Sequence, residues 1–116
     1  MELSERKEND VTVLEVVGRV DSVTSPDLGA RLTSILSTPP RKVLIDFGRL
    51  EYISSAGFRV LFLASKQAGE SGGRLALCGL SAKALELFSI AGFLKLFTIA
   101  PSRAEGVATL RGSATA

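Results

Sequence analysis

Histidine is absent from this 116-residue chain, and cysteine occurs once. The first absence removes the commonest general base and the commonest metal ligand. The second excludes a disulfide within the chain. Cys78 stands in the apolar run Leu75-Ala76-Leu77-Cys78, where a small buried strand residue is expected rather than a reactive thiol. No apolar run approaches membrane-spanning length, and no N-terminal segment resembles a signal peptide. A reducing cytoplasm, with no membrane partner, is the expected setting. Neither sign of charge dominates: 14 Lys and Arg face 12 Asp and Glu, a net charge of +2. The basic residues (Arg19, Arg31, Arg41, Lys42, Arg49, Arg59, Lys66 and Arg74 among them) are scattered. Without a basic stripe or a stacking platform, nucleic acid is not an expected partner.

Motifs of catalysis are missing as well. Ser54-Ser55-Ala56-Gly57 lacks the glycine on both sides of the serine that a nucleophile elbow needs. No glycine-rich loop ends in Gly-Lys-Ser/Thr. Lys42 and Lys66 stand in no recognisable base motif, and Asp21 and Asp46 are too few to argue a metal site. The chain is read as a non-enzyme with no cofactor and no metal.

What is present suffices for one compact core: 46% of residues are hydrophobic, in a length typical of a single domain. Residues 2–7 suggest an edge strand, followed by a turn at Glu8-Asn9-Asp10. Val11 to Val17 form a β-branched strand ending at Gly18, with a loop from Arg19 to Ser22. Ser25 as N-cap, Pro26 and Asp27 open a helix whose apolar face is Leu28, Leu32, Ile35 and Leu36, and Pro39-Pro40 ends it. Val43 to Phe47 is a continuous apolar run, as in a central strand covered on both faces. A helix follows from Ser55 to about Ala68-Gly69, then a turn at Ser71-Gly72-Gly73 and a strand from Arg74 to Cys78. Ser81 caps a third helix, with Leu85, Phe88 and Ile90 as its apolar residues, broken at Ala91-Gly92-Phe93. A strand from Leu96 to Ala100 and a helix from Arg103 to Leu110 complete one domain, 1–110, with the tail 111–116 expected to be disordered. Strands alternating with helices imply right-handed crossovers and a mostly parallel sheet. Functional groups then gather beyond the carboxyl ends of strands, here at Asp21, at Asp46 to Ser55, and at Gly79 to Ser81.

The segment from Leu50 to Arg59 is the most informative. Two serines stand where a strand feeds a helix N-terminus, a place with free N–H groups and a positive dipole end that suits an oxyanion. Capping alone would also account for either serine. On the helix that follows, Gly57, Val60, Leu61, Ala64 and Ala68 share one face, while Phe62 and Leu63 flank Arg59 and Lys66 on the other. That second apolar group is either a partner patch or extra core width.

Four segments in order carry a resemblance: Gly18-Arg19-Val20-Asp21, Val43-Leu44-Ile45-Asp46-Phe47, Tyr52-Ile53-Ser54-Ser55-Ala56-Gly57-Phe58-Arg59-Val60-Leu61, and Leu87 to Phe93 with Phe97-Thr98-Ile99. Over Met1 to Leu110 the chain resembles STAS domains of the bacterial anti-sigma factor antagonists. The resemblance implies an α/β fold, a mixed and mostly parallel sheet of four or five strands packed with about four helices. It implies a phosphoprotein of transcription regulation that binds an anti-sigma factor with serine kinase activity, releases a sigma factor, and loses its grip when that kinase phosphorylates one serine. A serine phosphatase would reverse the step. The phosphoacceptor position matches Ser55. The phosphate loop and partner surface are expected to include Asp21, Asp46, Ser54, Ala56, Gly57, Phe58, Arg59 and Phe62. Ser54 stands where many antagonists have aspartate, and Ala56 replaces a second hydroxyl residue. The alternative is a constitutive subunit of a lipid-transport or stress-signalling complex with no phosphoswitch.

Overall fold

The computed structural model describes residues 1–92 and 94–112. In chain order the elements are β1 (Glu2–Glu8), β2 (Val11–Val20), α1 (Ser25–Leu36), β3 (Lys42–Ile53), α2 (Ser55–Glu70), β4 (Arg74–Cys78), α3 (Ala82–Ile90), a single 3-10 turn (Leu94–Leu96), β5 (Thr98–Ala100) and α4 (Arg103–Gly112). The five strands form one sheet in the order β1-β2-β3-β4-β5. β1 runs antiparallel to β2, as a short hairpin turn dictates, and the remaining pairs are parallel.

Consecutive strand order has a consequence for the layers. Right-handed crossovers that always step in one direction lay their helices on one face of a sheet. α1, α2 and α3 therefore share a face, where Leu14, Val16, Ile45, Phe47 and Leu77 of the strands meet Leu28, Leu32, Leu36, Leu61 and Phe88 of the helices. α4 covers the other face alone, with Val107 and Leu110 against Val11, Val13, Leu44, Ala76 and Cys78. It sits close because Gly106 has no side chain: a Cβ there would lie 2.6 Å from Leu44 Cδ1. β2, β3 and β4 are covered on both faces, which is why their apolar runs are nearly continuous. β1 lies at the edge with charged residues facing solvent, which discourages pairing with another chain.

The structure departs from the sequence expectation at several element boundaries, among them the start of β5, which lies at Thr98 and not Leu96 because Leu94–Leu96 form the 3-10 turn. β3 does not end at Phe47 but continues to Ile53, and β2 passes Gly18 to reach Val20. β4 pairs with β3 only as far as Asp46, so beyond that point β3 pairs with β2 alone, and from Gly18 and Leu50 onward, past the end of β1, the two strands continue as a two-stranded ribbon. The polar residues at this end of β3, such as Arg49 and Glu51, are exposed and mimic a loop in sequence. Ser25 is not the cap of α1; Thr24 holds that position and makes no side-chain cap bond. Finally, α4 extends through Arg111 and Gly112, two residues into the expected tail, while 113–116 and Phe93, part of the expected break after α3, lie outside the described residues.

Candidate functional site

The carboxyl ends of β2 and β3 lie side by side, joined by the Ser54 N–H donating to the Val20 carbonyl at 2.9 Å. The loop after β2 and the start of α2 are thereby neighbours. In that loop the Asp21 carboxylate accepts from the Val23 and Thr24 N–H groups, each at 3.0 Å, and from the Thr24 hydroxyl at 3.2 Å. The Thr24 hydroxyl accepts in turn from the Asp21 N–H at 2.9 Å. The Asp21 side chain thus orders the turn that leads into α1, while Thr24 holds the cap position itself. Hydrogen bonds from the Thr24 backbone, then the Val23 backbone, hold its carboxyl below the usual aspartate range.

The two serines divide the work. Ser54 is extended, at φ −92° and ψ 174°, and its side chain accepts from the Gly57 N–H at 3.4 Å. It is the N-cap of α2. Ser55 is the first helical residue and is exposed. Gly57 lets α2 start hard against the sheet: a Cβ there would lie 2.6 Å from Ile53 Cγ1 and 2.9 Å from Val20 Cγ1. Phe58 is buried and meets the Phe88 ring edge-on, centroids 4.7 Å apart, and Phe88 meets Phe97 at 6.0 Å. This aromatic stack ties the first turn of α2 to α3. Gly57 and Phe58 therefore position the loop from inside, while Ala56 is half-buried beside them.

Ser55 opens onto a groove of about 420 Å³ between α2 and α3, lined by Tyr52, Ser54, Ser55, Arg59, Leu87 and Ile90, among others. The Arg19 guanidinium lies 4.4 Å over the Tyr52 ring at its border. Along α2, Ser55, Arg59, Phe62 and Lys66 recur at four- and three-residue spacing and are all exposed. Phe62 and Leu63 are 41% and 50% exposed, so they are surface and not extra core. Ile90, expected in the core of α3, is 76% exposed. The contribution of α3 to the groove, through Leu87 and Ile90, is what sequence reasoning missed. Its signal was an excess of apolar residues (Leu85, Leu87, Phe88 and Ile90) over what one stripe of a short helix can bury.

Asp46 does not belong with the others. It lies on the α4 face of β3, where Arg103 donates to its Oδ2 from Nε at 2.9 Å and Nη2 at 2.8 Å, and the Gly48 N–H donates to its Oδ1 at 2.9 Å. Glu15 stands 3.8 Å from the same guanidinium. Ile53 lies seven residues along the strand from Asp46, roughly 23 Å at the rise of a β-strand. Burial, with the Asp46 charge next to it, pushes the neighbouring Cys78 thiol up to about 12, which fits an inert core residue. Among the described residues no cluster of three or more Cys, Asp and Glu could hold a metal ion, and no helix is long and apolar enough to cross a membrane.

Comparisons with known proteins bear on the family and the fold. The sequence pattern of the STAS domain matches residues 3–106. BtrV of Bordetella bronchiseptica, assigned as an anti-sigma factor antagonist, is 38% identical over 111 residues, 96% of each chain. A crystal structure of an anti-sigma factor antagonist from Mycobacterium paratuberculosis superposes with a TM-score of 0.85 at 21% identity, covering 95% of this chain and 93% of that one. The anti-sigma factor antagonist SpoIIAA in its unphosphorylated form superposes at 0.80, with 18% identity and coverage of 96% and 97%. Its phosphorylated form, from Bacillus, superposes at 0.71, with 17% identity and coverage of 93% and 98%. At such identities the structural likeness speaks for the fold.

Proposed function

The chain belongs to the STAS domain family, among the anti-sigma factor antagonists, and on that premise we propose that it is a partner-switching regulator controlled at Ser55. In its unmodified form it binds an anti-sigma factor with serine kinase activity and so frees a sigma factor. Phosphorylation of Ser55 by that kinase ends the complex, and a serine phosphatase restores it. The protein acts by binding rather than by turnover, a reading supported by the groove around Ser55, where among the described residues no carboxylate and no lysine stands in the lining to serve as a base.

One observation carries the reading. Of two adjacent serines, Ser54 is engaged as the helix cap, whereas Ser55 is exposed at the mouth of an apolar groove. A kinase reaching this junction meets the Ser55 hydroxyl first, and modification there leaves the cap intact. The added group brings about −1.5 to −2 charges at neutral pH. The N-terminus of α2 tolerates such charge, so the fold persists. SpoIIAA, with the same fold, has been solved with and without phosphate. The effect falls on the interface, where an apolar groove must now be closed over a charge that has to be desolvated.

Titration calorimetry against the anti-sigma kinase tests this. Wild type and Ser55→Ala should bind alike. Ser55→Asp should bind more than about a hundredfold more weakly, the consequence of roughly 3 kcal/mol lost at the interface. Mass spectrometry after incubation with the kinase and ATP should place the phosphate on Ser55 and not on Ser54. Equal binding by all forms would replace the switch with a constitutive subunit of a larger complex.

A further inference from the structure

We propose that Arg59 is the internal counter-ion of a phosphoryl group carried on Ser55, an inference that rests on the phosphoswitch reading above. Ser55 and Arg59 stand at i and i+4 on α2. Residues so spaced are neighbours on one helix face, about 5–6 Å apart at Cβ. Long helical side chains lean toward the N-terminus, over the preceding turn. The Arg59 guanidinium therefore reaches back over the turn that presents Ser55, and both residues line the same groove.

Arg59 is exposed and makes no ion pair among the described residues. Other arginines are engaged: Arg19 lies over Tyr52, Arg31 on Glu5, and Arg103 on Asp46. Among the described residues no carboxylate lines the groove to compete for the Arg59 fork, and position 54, next to the acceptor, is a neutral serine. Charged groups bordering the site are Arg19 on β2, Asp21 in the following loop, Glu51 on β3 and Lys83 on α3. Asp21 is turned into its own loop by the hydrogen bonds from Val23 and Thr24. A guanidinium matches two phosphate oxygens at once, which a point charge does not. The pairing neutralises part of the added charge. It also removes Arg59 from the surface offered to a partner, so that modification subtracts a cationic contact while it adds bulk.

The test needs no kinase. Phosphoserine is installed at position 55 by genetic encoding, and its second ionisation is followed by phosphorus-31 NMR at low salt in the native, Arg59→Gln and Arg59→Lys backgrounds. A free phosphoserine loses its second proton near pH 6. With Arg59 present the midpoint should fall about half a pH unit lower, as expected for an exposed pair. It should return toward 6 in Arg59→Gln, be partly restored in Arg59→Lys, and lose most of its shift in 1 M salt. A Lys83→Gln control should leave it in place. The same midpoint with arginine and with glutamine overturns the pairing while leaving the binding switch standing. Equal partner binding by the Ser55 variants overturns the switch whatever the titration shows.

Discussion

The two faces of the sheet are built differently. The face under α1, α2 and α3 is large and aromatic, and its stack of Phe58, Phe88 and Phe97 ends directly beneath the serine junction. The face under α4 is small, filled by valine, alanine and leucine, and closed at its rim by the Arg103 contacts to Asp46 and Glu15. Core packing on the first face sets stability and the shape of the groove together. On the second face packing and charge lie away from the serine junction, and their expected effect is on stability. The same kind of substitution should therefore have separable consequences on the two sides.

The largest effect is expected from Phe88→Ala. The ring is fully buried and touches both Phe58 and Phe97, and truncating such a phenylalanine costs about 3–5 kcal/mol. Urea unfolding should show that loss, and amide shifts at Ser55 and Arg59 should move because the first turn of α2 loses its tether to α3. Asp46→Ala is the counterpart on the α4 face. It leaves Arg103 with only the distant Glu15, in a setting where the two paired side chains are 29% and 13% exposed. A loss of about 2 kcal/mol is expected, below that of a fully buried pair. Partner binding should be unchanged. A binding defect in Asp46→Ala, or amide shifts at Ser55 and Arg59 as large as those of Phe88→Ala, would erase the distinction between the faces.

A finer comparison uses the two glycines at which helices touch the sheet. An alanine Cβ at Gly57 would meet Ile53 Cγ1 and Val20 Cγ1, the stiff stems of β-branched side chains. At Gly106 it would meet the Cδ atoms of Leu44, the far end of a flexible one. Gly57→Ala should cost about 1–3 kcal/mol by overpacking and displace the start of α2, weakening partner binding as well. Gly106→Ala should come out near neutral, because about 1 kcal/mol of helix propensity offsets the strain. Thermal unfolding of both variants, with binding measured in parallel, makes the comparison.

The alternation of elements was legible because every strand but the first contains a short apolar run and every helix has an apolar stripe. The centre of the site was legible too, since a pair of serines between a strand and a helix can do few things. Three features were hidden for physical reasons. The end of β3 is polar because it leaves the five-stranded body as a ribbon, so its sequence imitates a loop. Asp46 shares a strand with the site, and only the pleat and the strand length show that it faces α4 instead. Ile90 and Leu87 carry the apolarity of core residues, and the short helix α3 has no room to bury them all. Periodicity reports how much apolar surface an element has, but not whether the fold covers it.

The smallest expected effect concerns Asp21, at the lip of the site. Its carboxylate receives two backbone N–H groups and the Thr24 hydroxyl, which lowers its pKa in the folded protein. In the unfolded chain the group titrates near the ordinary value of about 3.9. A carboxylate with a depressed folded pKa stabilises the protein at every pH above the unfolded value, and that contribution disappears as pH falls through the folded one. The stability difference between wild type and Asp21→Ala should therefore be flat from neutrality down to about pH 5. It should then shrink as the pH falls below about 4 and reach its floor only below the folded pKa. Melting temperatures of the two proteins across that range measure it, and the other acidic groups cancel in the difference. A gap that widens on acidification would mean that the folded loop holds the neutral acid in preference to the ion. The turn that leads from β2 into α1 would then be ordered in some other way than by the charge of Asp21.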